Sequence, residues 1–282
     1  LRELTAFLPG FSEYLKATEQ VIFKVDEVHA RSVYAYRTGS NLPRLSKKPE
    51  IKIVQGINPI LQHFNKEKNK SVIPLDVELH EQQRFLVISG PNAGGKSITL
   101  KTVGLFQAMI QSGILIPANP KSVIGLFYKL MTDIGDAQSI ENELSTYSSK
   151  LAKMKTFLSQ ADDRSLILID EFGSGSDPDL GSALSQVFLT HLEECKSFGI
   201  ITTHYNSIKS LASELKNVGN ASMQFNQKTF LPEFVLQTGS PGSSYTFEVA
   251  VKSGIPEFMV KEARKLLDYQ TVKIDSLLVQ VQ

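Results

Sequence analysis

The sequence predicts an α/β fold, a mostly parallel sheet flanked by helices, with a helical arm at its N-terminal end. Three observations predict it. From about residue 50 onward, short apolar runs alternate with segments of helical periodicity. One run, Phe85–Ser89, enters a glycine-rich turn that opens into a helix. Ahead of both, residues 11–37 hold neither Pro nor Gly and space their apolar side chains as a helix does.

The elements follow in order. Leu15, Val21, Ile22, Val25, Val28 and Val33 give one long helix, stopped by Gly39. Pro43 to Pro49 reads as a basic linker, Ile51–Val54 as a strand, Asn65–Lys70 as a charged loop and Ile73–Leu79 as a strand. After Phe85–Ser89, a helix runs from Lys96 to about Ser112 and closes at Gly113. Short strands are expected at Ser122–Ile124 and Leu126–Met131, then an amphipathic helix over Tyr147–Gln160. Leu166–Ile169 is an apolar strand, Pro178–Lys196 a helix with Pro in its first turn, and Gly199–Thr203 a buried strand. Val218–Phe225 and Phe230–Leu236 alternate around polar Gln227–Lys228 and predict a hairpin. Gly239–Ser244 is a loop, followed by helices over Thr246–Ser253 and Pro256–Leu267. The expected division is an arm and linker over 1–45, a core domain over 46–268 and a C-terminal helical extension over 269–282.

Composition narrows the functional classes. The 282 residues carry a net charge of +1, so no global basic field argues for nucleic acid. Cys195 is the single cysteine, which excludes an intrachain disulfide and fits a reducing, cytoplasmic setting. No apolar run approaches the roughly 20 residues of a membrane helix. The chain opens at Leu1, inside a helical pattern, and reads as a piece of a longer protein.

Gly90-Pro91-Asn92-Ala93-Gly94-Gly95-Lys96-Ser97 matches G-x-x-x-x-G-K-[ST] between a predicted strand and a predicted helix. Glycines let backbone N–H groups converge on phosphate oxygens at a helix N-terminus. Lys96 is placed to neutralise β- and γ-phosphates, and Ser97 to offer a hydroxyl to magnesium. The cofactor-binding stretch is taken as Gly90 to Ser97 plus Ile98. A second site follows where Leu166–Ile169 runs into Asp170 and Glu171. Asp170 is the expected magnesium ligand, and Glu171 the residue that orients or deprotonates an attacking water. Adjacent Asp and Glu point to opposite faces of a strand, so the two can do different jobs. A solvated acidic turn is the competing reading. His204 ends the run Gly199–Thr203, where it is either structural or a γ-phosphate sensor.

These residues resemble a known family. Ser89-Gly-Pro-Asn-Ala-Gly-Gly-Lys-Ser97, Asp170-Glu-Phe-Gly-Ser-Gly-Ser-Asp177 and Thr202-Thr-His-Tyr205 are similar to the ATPase domain of the MutS family. The stretches from Asp133 to Ser149 and from Asp170 to Pro178 resemble its type II branch, linked to control of recombination. The resemblance covers about residues 50–268, and the preceding helix resembles the end of the family's lever arm.

The resemblance implies an ABC-type ATPase that uses ATP and magnesium and works as a homodimer with composite sites. Each subunit would supply the phosphate loop and acidic pair to one site, and Leu144–Ser148 to the other. Ser145 would act in trans; from the residues alone, Ser145 and Thr146 read equally well as an ordinary cap ahead of the Tyr147 helix. The resemblance favours His204 as γ-phosphate sensor and places Gly173–Asp177 across the dimer interface. DNA would be bound mostly outside this chain. Many members carry Arg-His before the Pro near the adenine pocket, where this chain has Ile57-Asn58. Val72 and Ile73 read as strand, with an apolar adenine contact as the other reading. A mismatch-repair protein, or a nucleotide-controlled module that binds junctions or ribosomes, is the alternative function. A membrane transporter's ATPase is disfavoured, because Leu-Ser-Thr-Tyr-Ser stands where transporters carry Leu-Ser-Gly-Gly-Gln.

Overall fold

The computed structural model describes residues 7–91, 94–135, 143–174, 177–226, 229, 231–242 and 246–266. After a 3-10 turn at Leu8–Phe11, helix α1 spans Ser12–Thr38. It ends as expected on Gly39, at φ 66, whose N–H returns to the Ala35 carbonyl. None of its residues is buried.

Strand β1 (Arg44–Ser46) lies inside the expected linker, and β2 covers Ile51–Gly56. Helix α2 (Pro59–Lys66) occupies a stretch with no predicted helix. Its signal is local: Pro59 opens it, and the Asn58 Oδ1 accepts from Ile60 N and Leu61 N at 3.0 Å each. Strand β3 is Leu75–Leu79. It starts two residues later than expected, after Pro74, which leaves Val72 and Ile73 outside the ladder. Strand β4 (Phe85–Ser89) and helix α3 (Lys96–Gln111) flank the glycine-rich turn.

Strands β5 (Val123–Gly125) and β6 (Lys129–Asp133) follow. Helix α4 (Glu143–Gln160) begins a turn earlier than expected, so Ser145 and Thr146 stand in its first turn rather than ahead of it. Strand β7 (Ser165–Ile169) leads to α5 (Pro178–Glu194), capped by the Asp177 carboxylate. After β8 (Phe198–Thr202) comes α6 (Asn206–Glu214), which the sequence reading did not anticipate. The expected hairpin is β9 (Val218–Asn226) and β10 (Leu231–Thr238), and α7 (Thr246–Lys252) and α8 (Glu257–Leu266) close the described fold. Residues 227–228 and 230 of the hairpin turn, 243–245, and the extension expected over 269–282 lie outside the described residues.

Two sheets form where one was expected. The larger has the order β10-β9-β4-β8-β7-β6, parallel throughout except for the β9–β10 hairpin. The smaller has the order β1-β5-β2-β3. Strand alternation explains the layering. In β4, Leu86 and Ile88 face a core shared with Leu100, Val103 and Phe106 of α3 and with Ile51, Ile53 and Val77 of the smaller sheet. Phe85 and Val87 face the opposite core, with Phe188, Leu189 and Leu192 of α5 and Ile208 of α6. All five residues of β4, β7 and β8 are buried, as a sheet covered on both faces requires. Each fully buried Leu or Ile contributes about 1.5–3 kcal/mol, which makes this central sheet the firm base of the site. The parallel strands bring the C-terminal ends of β4, β7 and β8 to one edge, where open α/β sheets bind ligands.

Candidate functional site

The phosphate loop leaves β4 at Gly90. Gly90 and Gly95 take φ of 125 and 98, left-handed values that favour glycine. A Cβ on Gly94 would lie 3.1 Å from the Met223 Cβ, so the loop sits tight on β9. Lys96 is buried and donates from Nζ to the carbonyls of Gly90 (2.7 Å) and Pro91 (3.0 Å). Burial pulls its ammonium down to about 8; Asp170 and Glu171 pull upward, and Lys209 adds to the lowering. Asn92 and Ala93 lie outside the described residues.

Asp170 and Glu171 are organised by Thr202, at the end of the neighbouring strand. The Thr202 hydroxyl donates to Asp170 Oδ1 at 2.6 Å and accepts from Glu171 N at 2.8 Å. The expectation that both acids sit in a strand is corrected here. Strand β7 stops at Ile169, and Glu171 takes φ 49. The Thr202 hydroxyl takes the Glu171 N–H, and Phe172 N donates to the Thr202 carbonyl at 2.8 Å, so the chain leaves the β ladder and turns. A left-handed glutamate costs on the order of 1 kcal/mol and persists only where its surroundings hold it.

His204 follows β8. It keeps an exposed edge, yet desolvation, with the charges of Lys96 and Lys209, pulls its imidazole down to about 4, against an opposing pull from Asp170. It is therefore neutral at pH 7. The next residue, Tyr205, donates from its hydroxyl to the Gly173 carbonyl at 3.1 Å. That stitches the His204 segment to the turn after the acidic pair. The adjacent C-terminal ends of β4, β8 and β7 thus bring Lys96, His204, Asp170 and Glu171 to one edge of the sheet. Ser145 lies in α4, and its side chain is outside the described residues, as are Gly175 and Ser176 of the loop expected at the dimer interface.

Ser97 lies in the first turn of α3, just after the loop, and Asp170 presents a carboxylate held by Thr202. A hydroxyl and a carboxylate suit a hard cation that keeps most of its shell for water and phosphate. Among the described residues no group of three or more His, Cys, Asp or Glu could hold a metal by itself. Beside the loop lies a cleft of about 490 Å³, lined by Leu61, Val72, Ile73, Ile98, Met223 and Phe234 among others. It is large enough for a purine and mostly apolar. The cleft settles Val72 and Ile73 as lining residues rather than strand. Asn58 also borders it, but its amide is committed to the α2 cap and to Thr102 Oγ1 at 2.9 Å.

Sequence reasoning missed Thr202, Lys209, Met223 and Phe234. Thr202 is legible in the sequence, since it stands two residues before His204 in the run Thr202–Tyr205. Met223 and Phe234 reach the cleft from the hairpin, with Phe234 at φ 58 in a register shift of β10, and no local pattern marks them.

The family model for MutS domain V matches residues 86–270. Similar proteins named Endonuclease MutS2 occur in Clostridium kluyveri, 37% identical over 95% of this chain and 33% of that protein. Those of Halothermothrix orenii are 38% identical over 99% of this chain and 34% of the relative. Those of Clostridium acetobutylicum are 36% identical over 100% of this chain and 35% of the relative. The chain thus spans about a third of the length of the curated relatives it matches. No described helix is long and apolar enough to cross a membrane. With its loop, acidic pair and matching segment, the chain belongs to the MutS family and carries that family's domain V.

Proposed function

We propose that this chain binds ATP with magnesium and hydrolyses it as the ABC-type ATPase unit of a MutS type II-like protein. The observation that supports this best is the cluster at the sheet edge: buried Lys96 inside its loop, faced by Asp170 and Glu171 on the Thr202 hydroxyl. Loop N–H groups and Lys96 bind the β- and γ-phosphates, and the apolar cleft beside Ile98 takes the base. Ser97 and Asp170 would hold magnesium, which would supply charge neutralisation to the phosphates. Glu171 accepts the proton of a water that attacks the γ-phosphorus. The bond from that phosphorus to the bridging oxygen breaks, and ADP leaves with the electron pair. Neutral His204 donates its N–H to a γ-phosphate oxygen.

The reading extends to a homodimer in which Ser145 completes the partner's site. Closure on ATP would move α1 as an arm, and the longer protein would act on DNA in the cytoplasm to restrain recombination. A mixing experiment tests the composite site. Lys96→Ala and Ser145→Ala variants are each assayed alone and then together. The mixture is expected to recover hydrolysis, because one of its two sites then holds an intact Lys96 and an intact Ser145. A mixture no more active than its parts, with heterodimers demonstrated, counts against Ser145 acting in trans.

A further inference from the structure

A second buried lysine stands behind the phosphate site, and the chemistry above does not use it. Lys209 lies on α6 and is 3% exposed. Its Nζ donates to the Asn206 Oδ1 at 2.9 Å and to the Gly242 carbonyl at 3.1 Å. Asn206 begins α6, two residues after His204. Gly242, from the loop after β10, donates its own N–H to the Ser89 Oγ at 2.7 Å, and Ser89 is the last residue before the phosphate loop. The Lys209 carbonyl accepts from Asn220 Nδ2 at 2.8 Å, which ties the same turn of α6 to β9. One residue therefore joins the segment carrying His204, the loop after β10, and the base of the cradle.

We propose that Lys209 is a positioning residue for ATP hydrolysis, fixing the His204 segment against the base of the phosphate loop through Asn206 and the Gly242–Ser89 hydrogen bond. This rests on the ATPase reading above. Holding an ammonium out of water is costly, and its three donors are directional. An apolar side chain of the same length would pack as well without linking those segments. Methionine removes the donor from the Asn206 Oδ1 and the Gly242 carbonyl, so stability is read beside turnover. Lost turnover in a protein that still folds is the signature of positioning. The charge also reaches the site: Lys209 is among the causes that keep both Lys96 and His204 below their ordinary values.

The test compares Lys209→Met and Lys209→Arg with the parent chain. It measures Mg-ATP turnover, the KM for ATP, the thermal midpoint, and the His204 titration by NMR. For Lys209→Met, kcat should fall about tenfold or more through a misplaced donor, with KM within about twofold. The His204 midpoint should rise, and Lys209→Arg should restore both. Unchanged kcat and an unmoved His204 midpoint in folded Lys209→Met would overturn the proposal. If Lys209→Met does not fold, Ser89→Ala takes its place, since it removes the far end of the link and leaves the buried cation. Normal kcat and an unmoved His204 environment in Ser89→Ala overturn the proposal equally. Should the parent chain not hydrolyse ATP at all, the ATPase reading fails by itself. The His204 environment in Ser89→Ala, which keeps the buried cation, then still decides whether the link through Gly242 sets that segment.

Discussion

In the proposed nucleotide site, the phosphate end and the base end of the cleft are built on different plans. The phosphate end comes from contiguous runs, Gly90–Ser97, Asp170–Glu171 and Thr202–His204, at the ends of three adjacent buried strands. The base end is assembled from α2, the segment at Val72–Ile73, and Met223 and Phe234 on the hairpin. Charge chemistry needs fixed donors and acceptors, so that end sits on the central sheet. Apolar contact with a base needs surface more than exact placement, and distant segments can share it. Disturbing the first region should therefore cost chemistry and disturbing the second should cost affinity.

The largest effect is expected at Glu171. Glu171→Gln should slow hydrolysis by about 10²- to 10⁴-fold in single-turnover measurements while ATP still binds. Lys96→Ala should weaken ATP binding by roughly 100-fold, close to 3 kcal/mol, in equilibrium titration. Retention of parental affinity would show that the cradle does not hold the phosphates. Thr202→Val should remove the hydroxyl shared by Asp170 and Glu171 and lower kcat by about tenfold or more, with little change in the thermal midpoint. At the base end, Ile73→Ala and Phe234→Ala should each weaken ATP binding by about 1 kcal/mol, or roughly fivefold, with kcat unchanged. A fall in kcat there, or none in affinity, would erase the distinction between the ends.

The pH dependence follows from the buried ammonium of Lys96. Burial lowers Lys96 from 10.5 to about 8. The unfolded chain then binds more protons than the folded one between those values. The contribution of this group to stability therefore rises with pH across that window. Its hold on an anion runs the other way: above about pH 8 the free site loses its ammonium. ATP affinity should decline there by up to about tenfold per unit, with proton uptake on binding. Calorimetry in two buffers of different ionisation enthalpy reads that uptake directly. His204, already neutral, should add no step near its ordinary value.

The same contrast explains what was legible. Phe85–Ser89, Leu166–Ile169 and Gly199–Thr203 are continuous apolar runs, and each proves to be a central strand. The phosphate loop and acidic pair are local in sequence, so their residue types and spacing carry the chemistry. Helix α2 was missed although Asn58-Pro59 marks its start, because its few apolar residues sit beside a charged run. Strand β1 is only three residues, Arg44-Leu45-Ser46, whose partner lies far along the chain, and only tertiary pairing creates it. The turn at Glu171 could not be read from its neighbours either, since the hydroxyl that shapes it arrives from Thr202 on another strand. Lys209 looks like any surface lysine of a short amphipathic helix until Gly242 and Asn206 close over it.

The most direct measurement is Mg-ATP binding and turnover on the same samples of the parent chain and its Glu171→Gln variant. Both should bind ATP with similar affinity, the parent should release phosphate, and the variant should retain ATP uncleaved. Equal turnover by the two proteins would contradict it, because Glu171 would then not be the base beside the Gly90–Ser97 cradle.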